Sequence, residues 1–213
     1  MSQILVVDGH PDPDSLTAAT ARAYVAGADG QAILLAVRDL AFDPDLRAGY
    51  RAAQPTEPDL ARARSLIEES EHITVLTPVW WGSVPAALKG FFDRALDPGW
   101  AYRYNENGRP EGLLGGRTGR LVVLADSPRW YLPLVGDTTV KQVRRTTLEF
   151  CGIKPVAVTR FTDVRSQSEA ERVAWLGRCA ALGAADADQR RRSRTVRDRT
   201  AAHAPSDDET TLA

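Results

Sequence analysis

The chain has 213 residues, enough for one full domain and few for two. Hydrophobic residues at 43% and charged residues at 26% fit an ordinary globular domain, and a net charge of −1 gives no general attraction to nucleic acid or an anionic membrane. No apolar run reaches the roughly 18 residues of a membrane-spanning helix, and "QILVVDGH" lacks the basic region and cleavage site of a signal peptide. A cytoplasmic protein is expected, without membrane insertion or a nucleic-acid partner. Cys151 and Cys179, far apart in helix-like stretches, read as buried thiols.

In chain order, "QILVV" (3–7) has the pattern of a buried strand, and "SLTAATARAYVAGA" (15–28) that of a helix capped by Ser15. A strand is expected at 32–37, then a Pro- and Asp-rich loop over 38–57 and a helix at 58–70. Strand 72–77, helix 84–96, an irregular segment 97–118, strand 120–125 and helix 137–151, stopped by Gly152, come next. Strand 154–161 and helix 168–183 complete the pattern.

Strands alternating with helices imply right-handed crossovers and a parallel sheet covered on both faces, an α/β protein. Of the two common doubly wound orders, the five-strand one, 2-1-3-4-5, fits this count. Ligands of such sheets bind beyond the carboxyl ends of the strands, where strands 1 and 3 diverge. The loops 8–15, 77–84 and 125–136 are therefore expected to meet there. From Ala184 the apolar periodicity stops: residues 190–199 hold six arginines and one aspartate, and 207–209 are all acidic. The expected organisation is a domain over 1–184 and a largely disordered charged tail over 185–213, whose arginine-rich part could extend the last helix.

The loop "HPDPDS" (10–15) admits two chemistries. Histidine with spaced aspartates after a strand suggests a zinc-dependent deacetylase, whose motif runs His-Pro-Asp-Asp-Glu. Zinc needs three protein ligands beside an open position. Here Pro13 displaces the second acid, and the other histidines are His72, at the wrong end of strand 3, and His203, in the tail. No metal is expected. The alternative is an anion site: Pro11 and Pro13 hold the loop extended, Ser15 or Thr17 caps the helix, and its first-turn N–H groups meet a phosphate.

After strand 3 comes "TPVWWGSVPAALKGFFDRAL" (77–96), where two adjacent indoles at the mouth of the sheet are costly to leave exposed. They read either as core and lid or as a wall for a flat ring. "GHPDPDS", this block and "PGWAYRY" (98–104) together resemble the NAD(P)H:quinone oxidoreductase family of the flavodoxin-like fold, with DT-diaphorase-type enzymes among its members. The stretch "TLEFCGIKPVAVTRF" (147–161) is also similar to bacterial members, and the resemblance spans residues 3 to about 183.

That resemblance implies a flavodoxin-like three-layer sandwich holding a non-covalent flavin, FMN or FAD. It implies two-electron reduction of quinone-like acceptors by NADH or NADPH, in a homodimer. His10, Ser15, Leu16 and Thr17 match the family's flavin-phosphate loop, and Pro78, Val79, Trp80, Trp81 and Gly82 the loop along the isoalloxazine. The third loop departs: where many members carry Thr-Thr-Gly-Gly, this chain has "ADSPRWY" (125–131). Asp126 or Ser127 is then expected to keep the flavin contact, with Trp130 and Tyr131 as walls of the acceptor slot. Tyr131, Tyr102 or water could donate the proton. Two rival readings stand beside this one. The chain could be a flavin reductase of a nitro, azo, metal or biosynthetic acceptor, or a flavin-binding regulatory subunit. No Gly-x-Gly-x-x-Gly motif supports a separate dinucleotide-binding domain.

Overall fold

A computed structural model describes residues 4–202 apart from 129 and 135. Its centre is a parallel sheet of five strands: β1 (Ile4–Asp8), β2 (Ala32–Ala36), β3 (His72–Pro78), β6 (Thr118–Leu124) and β7 (Val156–Phe161). Their order is β2-β1-β3-β6-β7, the expected 2-1-3-4-5. β1 and β3 are buried throughout, because helices cover both faces and leave no solvated side for polar alternation.

Alternate side chains of each strand feed the two faces. Leu5, Val7, Ile73, Val75, Leu121 and Val123 pack toward α2 (Pro58–Glu69), α3 (Ala86–Ala95) and the helix before β7. Ile4, Val6, Leu76, Val122 and Leu124 pack toward α1 (Leu16–Gly27) and α6 (Glu169–Ala202). Glycine lets α1 and α6 touch backbone to backbone. A Cβ on Gly27 would stand 1.9 Å from the Ala180 carbonyl oxygen, and one on Gly183 2.1 Å from that of Tyr24.

Four features depart from the sequence reading. The segment 97–118 holds an antiparallel hairpin, β4 (Tyr102–Tyr104) with β5 (Pro110–Gly112). Its turn is built by Asn105, whose side-chain oxygen accepts the N–H groups of Asn107 and Arg109. A short helix, α4 (Tyr131–Leu134), lies inside the loop after β6. The next helix, α5, is regular over Thr138–Val140 and widens to a π-helix over Lys141–Glu149.

The last helix extends through the arginine-rich stretch as far as Ala202, and Asp186, Ala187 and Arg190 are buried. Residues 203–213, with His203 and the acidic run, lie outside the described residues.

Asp186 ties this extension to the sheet. Its carboxylate accepts two hydrogen bonds from Arg120 (2.6 and 2.8 Å) and one from Tyr24 (2.5 Å), and His72 stands 3.5 Å away. Thr74 donates to the Tyr24 hydroxyl. Burial alone would raise the Asp186 carboxyl, but the hydrogen bonds of Arg120, then His72, outweigh it and hold the group well below the usual carboxylate range. Such a partner set cannot be read as periodicity, since it joins α1, β3 and β6 to a helix far along the chain. Cys151 and Cys179 are free and buried, and burial pushes both thiols up to about 11, as expected of inert cysteines.

Candidate functional site

The crevice between β1 and β3 opens at their carboxyl ends, where the chain leaves toward β2 on one side and β6 on the other. The loop after β1 is wired by its own polar groups. The Asp12 N–H donates to His10 Nδ1 (3.0 Å), the Asp14 N–H to the Asp12 carboxylate (2.9 Å), and the Ser15 hydroxyl to the Asp12 carbonyl (2.8 Å). The acids of "HPDPDS" thus shape a turn, and among the described residues no cluster of three His, Cys, Asp or Glu could hold a metal ion.

Ser15 is the N-cap of α1, its hydroxyl accepting the Ala18 N–H. The first main-chain bond back into the helix is Ala19 N–H to the Ser15 carbonyl. The amides of Leu16 and Thr17 precede it and carry the positive end of the helix dipole, an anion site made of backbone. Ser15 already spends its proton on Asp12, so its contribution is the shape of the turn.

After β3 the chain makes a tight turn in which Trp80 and Ser83 exchange both main-chain bonds, each 2.9 Å. Its central residues, Trp81 (φ +53°) and Gly82 (φ +70°), are both left-handed, the requirement of a type I′ turn. A bulky residue there is strained, and Trp81 is fully exposed as well. Gly82 is needed twice over: besides its φ, a Cβ would stand 2.9 Å from Thr138 Oγ1. Trp80 meets the His10 ring edge-on, with centroids 5.5 Å apart, and so joins the two loops.

Together they enclose a cavity of about 470 Å³ lined by His10, Ser15, Leu16, Thr17, Pro78, Val79, Trp80, Trp81 and Asp126. Gly82, Ser127 and Tyr131 instead line a second cavity of about 500 Å³, which shares Val79 and Trp81 with the first. Trp130 is exposed and packs edge-on against Tyr131. Tyr102 is not brought to either cavity: it sits in the β4–β5 hairpin against Phe150, and burial together with Tyr50 pushes its hydroxyl up to about 12. The hairpin faces α3 and α5 rather than the crevice.

The sequence reading missed the contribution of β7. Arg165 lines the first cavity, and its N–H and Nε both reach the Asp126 carboxylate at 2.9 Å. Asp126 therefore braces the turn after β7. Arg160 and Thr139 line the second cavity, Arg160 paired with Asp137. The Thr139 hydroxyl is buried and has no hydrogen-bond partner among the described residues. The rule that ligands gather at strand carboxyl ends covers the fifth strand too and is the signal that could have found them.

These features fit a planar group carrying an anion: free first-turn amides for the anion, and a main-chain shelf over 78–81 with an aromatic lip for the plane. A family model of the flavodoxin-like fold matches residues 2–181. An uncharacterized NAD(P)H oxidoreductase of Haemophilus influenzae is 29% identical over 120 residues, 55% of this chain and 59% of its own. An FMN-dependent NADH:quinone oxidoreductase of Xanthomonas axonopodis pv. citri is 30% identical over 140 residues, 58% of this chain and 63% of its own. The chain thus spans less than two thirds of the length of either relative. A crystal structure from Streptococcus mutans UA159 superposes with a TM-score of 0.75 at 27% identity, covering 85% of this chain and 98% of that one.

Proposed function

The chain belongs to the flavodoxin-like fold family, and on that premise we propose that it is an FMN-dependent NAD(P)H oxidoreductase that reduces quinones by two-electron transfer. The observation that carries this reading is the first cavity, where one crevice joins an uncommitted helix N-terminus to the tryptophan-bearing turn. The names of the Haemophilus and Xanthomonas relatives support it.

Bound flavin supplies acceptance of hydride from NADH or NADPH and delivery of two electrons to the acceptor. The protein's part is to bind and orient. The amides of Leu16 and Thr17 hold the phosphate, with His10 beside them, and the backbone of Pro78–Trp81 supports the ring. The second cavity is the acceptor slot. Val79, Trp81, Tyr131 and Phe161 give it an apolar body, and the buried Thr139 hydroxyl offers a donor to a quinone carbonyl. Tyr131 lines the same slot, and its hydroxyl would give the proton needed on the reduced oxygen. Trp130 forms the outer lip of the slot.

Tyr50 and Tyr104 are both exposed and both neighbour Tyr102, an aromatic surface suited to a second copy, and the active form is a homodimer. It acts in the cytoplasm; no helix among the described residues is long and apolar enough to cross a membrane. Purified protein should carry FMN, identified by mass spectrometry after denaturation, and its visible absorbance should bleach on anaerobic addition of NADH and return with a quinone. A colourless protein that takes up no added flavin overturns the reading.

A further inference from the structure

Asp8 is the last residue of β1 and is fully buried, immediately before the loop that forms the anion site. By charge alone a carboxylate there opposes an anionic ligand. Its one ion-pair partner among the described residues is Arg38, whose Nη1 lies 2.6 Å from Oδ2 and whose side chain is 13% exposed. The other carboxylate oxygen accepts the His10 N–H at 3.1 Å, and the same Arg38 Nη1 donates to the His10 carbonyl at 3.1 Å. One ion pair thus holds both main-chain polar groups of a single residue.

That residue has its ring orientation fixed as well. His10 Nδ1 accepts the Asp12 N–H, so the proton of the neutral ring resides on Nε2. The bond forms only while the peptide of His10 is held at its present angle. Pro11 and Pro13 remove two main-chain donors from this loop, which leaves few other ways to brace it.

We propose that Asp8 and Arg38 are positioning residues for the anion site: they orient the His10 peptide so that the imidazole presents Nε2–H to the phosphate of the bound cofactor. The inference rests on reading the first cavity as the FMN site. The pair keeps the local charge near zero while it sets the geometry, so removing the carboxylate has two opposed consequences. Electrostatics alone would tighten phosphate binding. Loss of the clamp would loosen it, because the charge-assisted bond to the His10 N–H disappears with the carboxylate.

Titrations of apo-protein with FMN and with riboflavin, which lacks the phosphate, separate these outcomes. Asp8→Ala should weaken FMN by about ten- to hundredfold, the loss of one charge-assisted hydrogen bond, and leave riboflavin nearly unchanged. Arg38→Lys, which keeps the charge, should fall between wild type and Asp8→Ala. Nitrogen-15 spectra of the His10 ring in apo-protein should show the Nε2–H tautomer in wild type and a mixture in Asp8→Ala. Equal losses for both ligands, or tighter FMN binding with an unchanged tautomer, overturn the proposal. Should Asp8→Ala not fold, Arg38→Lys carries the same comparison. If the wild type binds neither ligand, the cofactor reading fails, and the tautomer in the variants still decides whether the pair positions His10.

Discussion

The sheet carries a histidine at each end, and the two are used in opposite ways. His10, beyond the carboxyl end of β1, faces a cavity and is held by main-chain bonds, with an ion pair behind its peptide. His72, at the amino end of β3, is buried with its Nδ1 2.7 Å from Thr118 and its other face toward Asp186. At the amino end, side chains from four elements satisfy one another and lock α6 to the sheet. At the carboxyl end, loops present unspent amides. Parallel strands explain the asymmetry, since the crossover loops that can diverge lie at one end and the returns from helices pack at the other. Polar residues at the closed end are spent on one another, and main-chain donors at the open end are left unspent.

The comparison is broken most severely at Asp186. Asp186→Ala leaves Arg120 without its ion pair and the Tyr24 hydroxyl without its acceptor, and should cost about 3–5 kcal/mol, measured as a shift in the urea unfolding midpoint. Flavin binding at the far end should persist wherever the variant stays folded. The folded Asp186 carboxyl is held below its unfolded value of about 3.9. Its contribution is therefore complete above roughly pH 4 and is lost as pH falls toward the folded value. The difference in unfolding free energy between wild type and Asp186→Ala should shrink accordingly on acidification.

A second change at the closed side is steric. Gly27→Ala drives a Cβ into the α6 backbone and should destabilise by about 1–3 kcal/mol, seen as a lower Tm, because neither helix can yield without disturbing its neighbours. At the open end effects on stability should be smaller. Ser15→Ala removes an N-cap, worth about 1 kcal/mol by denaturant titration. FMN affinity should change little, since the hydroxyl proton is already given to Asp12. Trp130→Ala sharpens the contrast furthest. The side chain is exposed, so stability should move by less than about 0.5 kcal/mol. Relative rates across a panel of quinones should change while single-turnover bleaching by NADH does not. An unchanged panel would remove Trp130 from the acceptor slot.

Strand order and the two loops that meet at the crevice were legible in the amino-acid sequence because each rests on local chemistry. Apolar runs mark strands, Ser15 marks a cap, and Pro78 to Gly82 mark a turn with aromatic residues. The third loop was less legible: Asp126 turns out to be tied to Arg165, a partner 39 residues on. The position of Tyr102 was not legible for a related reason, since nothing in "WAYRY" tells which side of the sheet its hairpin will cover.

By itself the sequence determined an α/β chain with five parallel strands, a crevice between the first and third, and a helix, α1, capped by Ser15 at that crevice. Only tertiary structure decided how α6 is tied to the sheet past residue 184 and how His10 is held. Its extension past 184 depends on Asp186 meeting Arg120 and Tyr24. The His10 peptide depends on Arg38 reaching back across the sheet to Asp8. Buried charges have no period and no preferred spacing along a chain. They are stable only where a partner desolvates with them, and which partner is near is a property of the folded molecule alone.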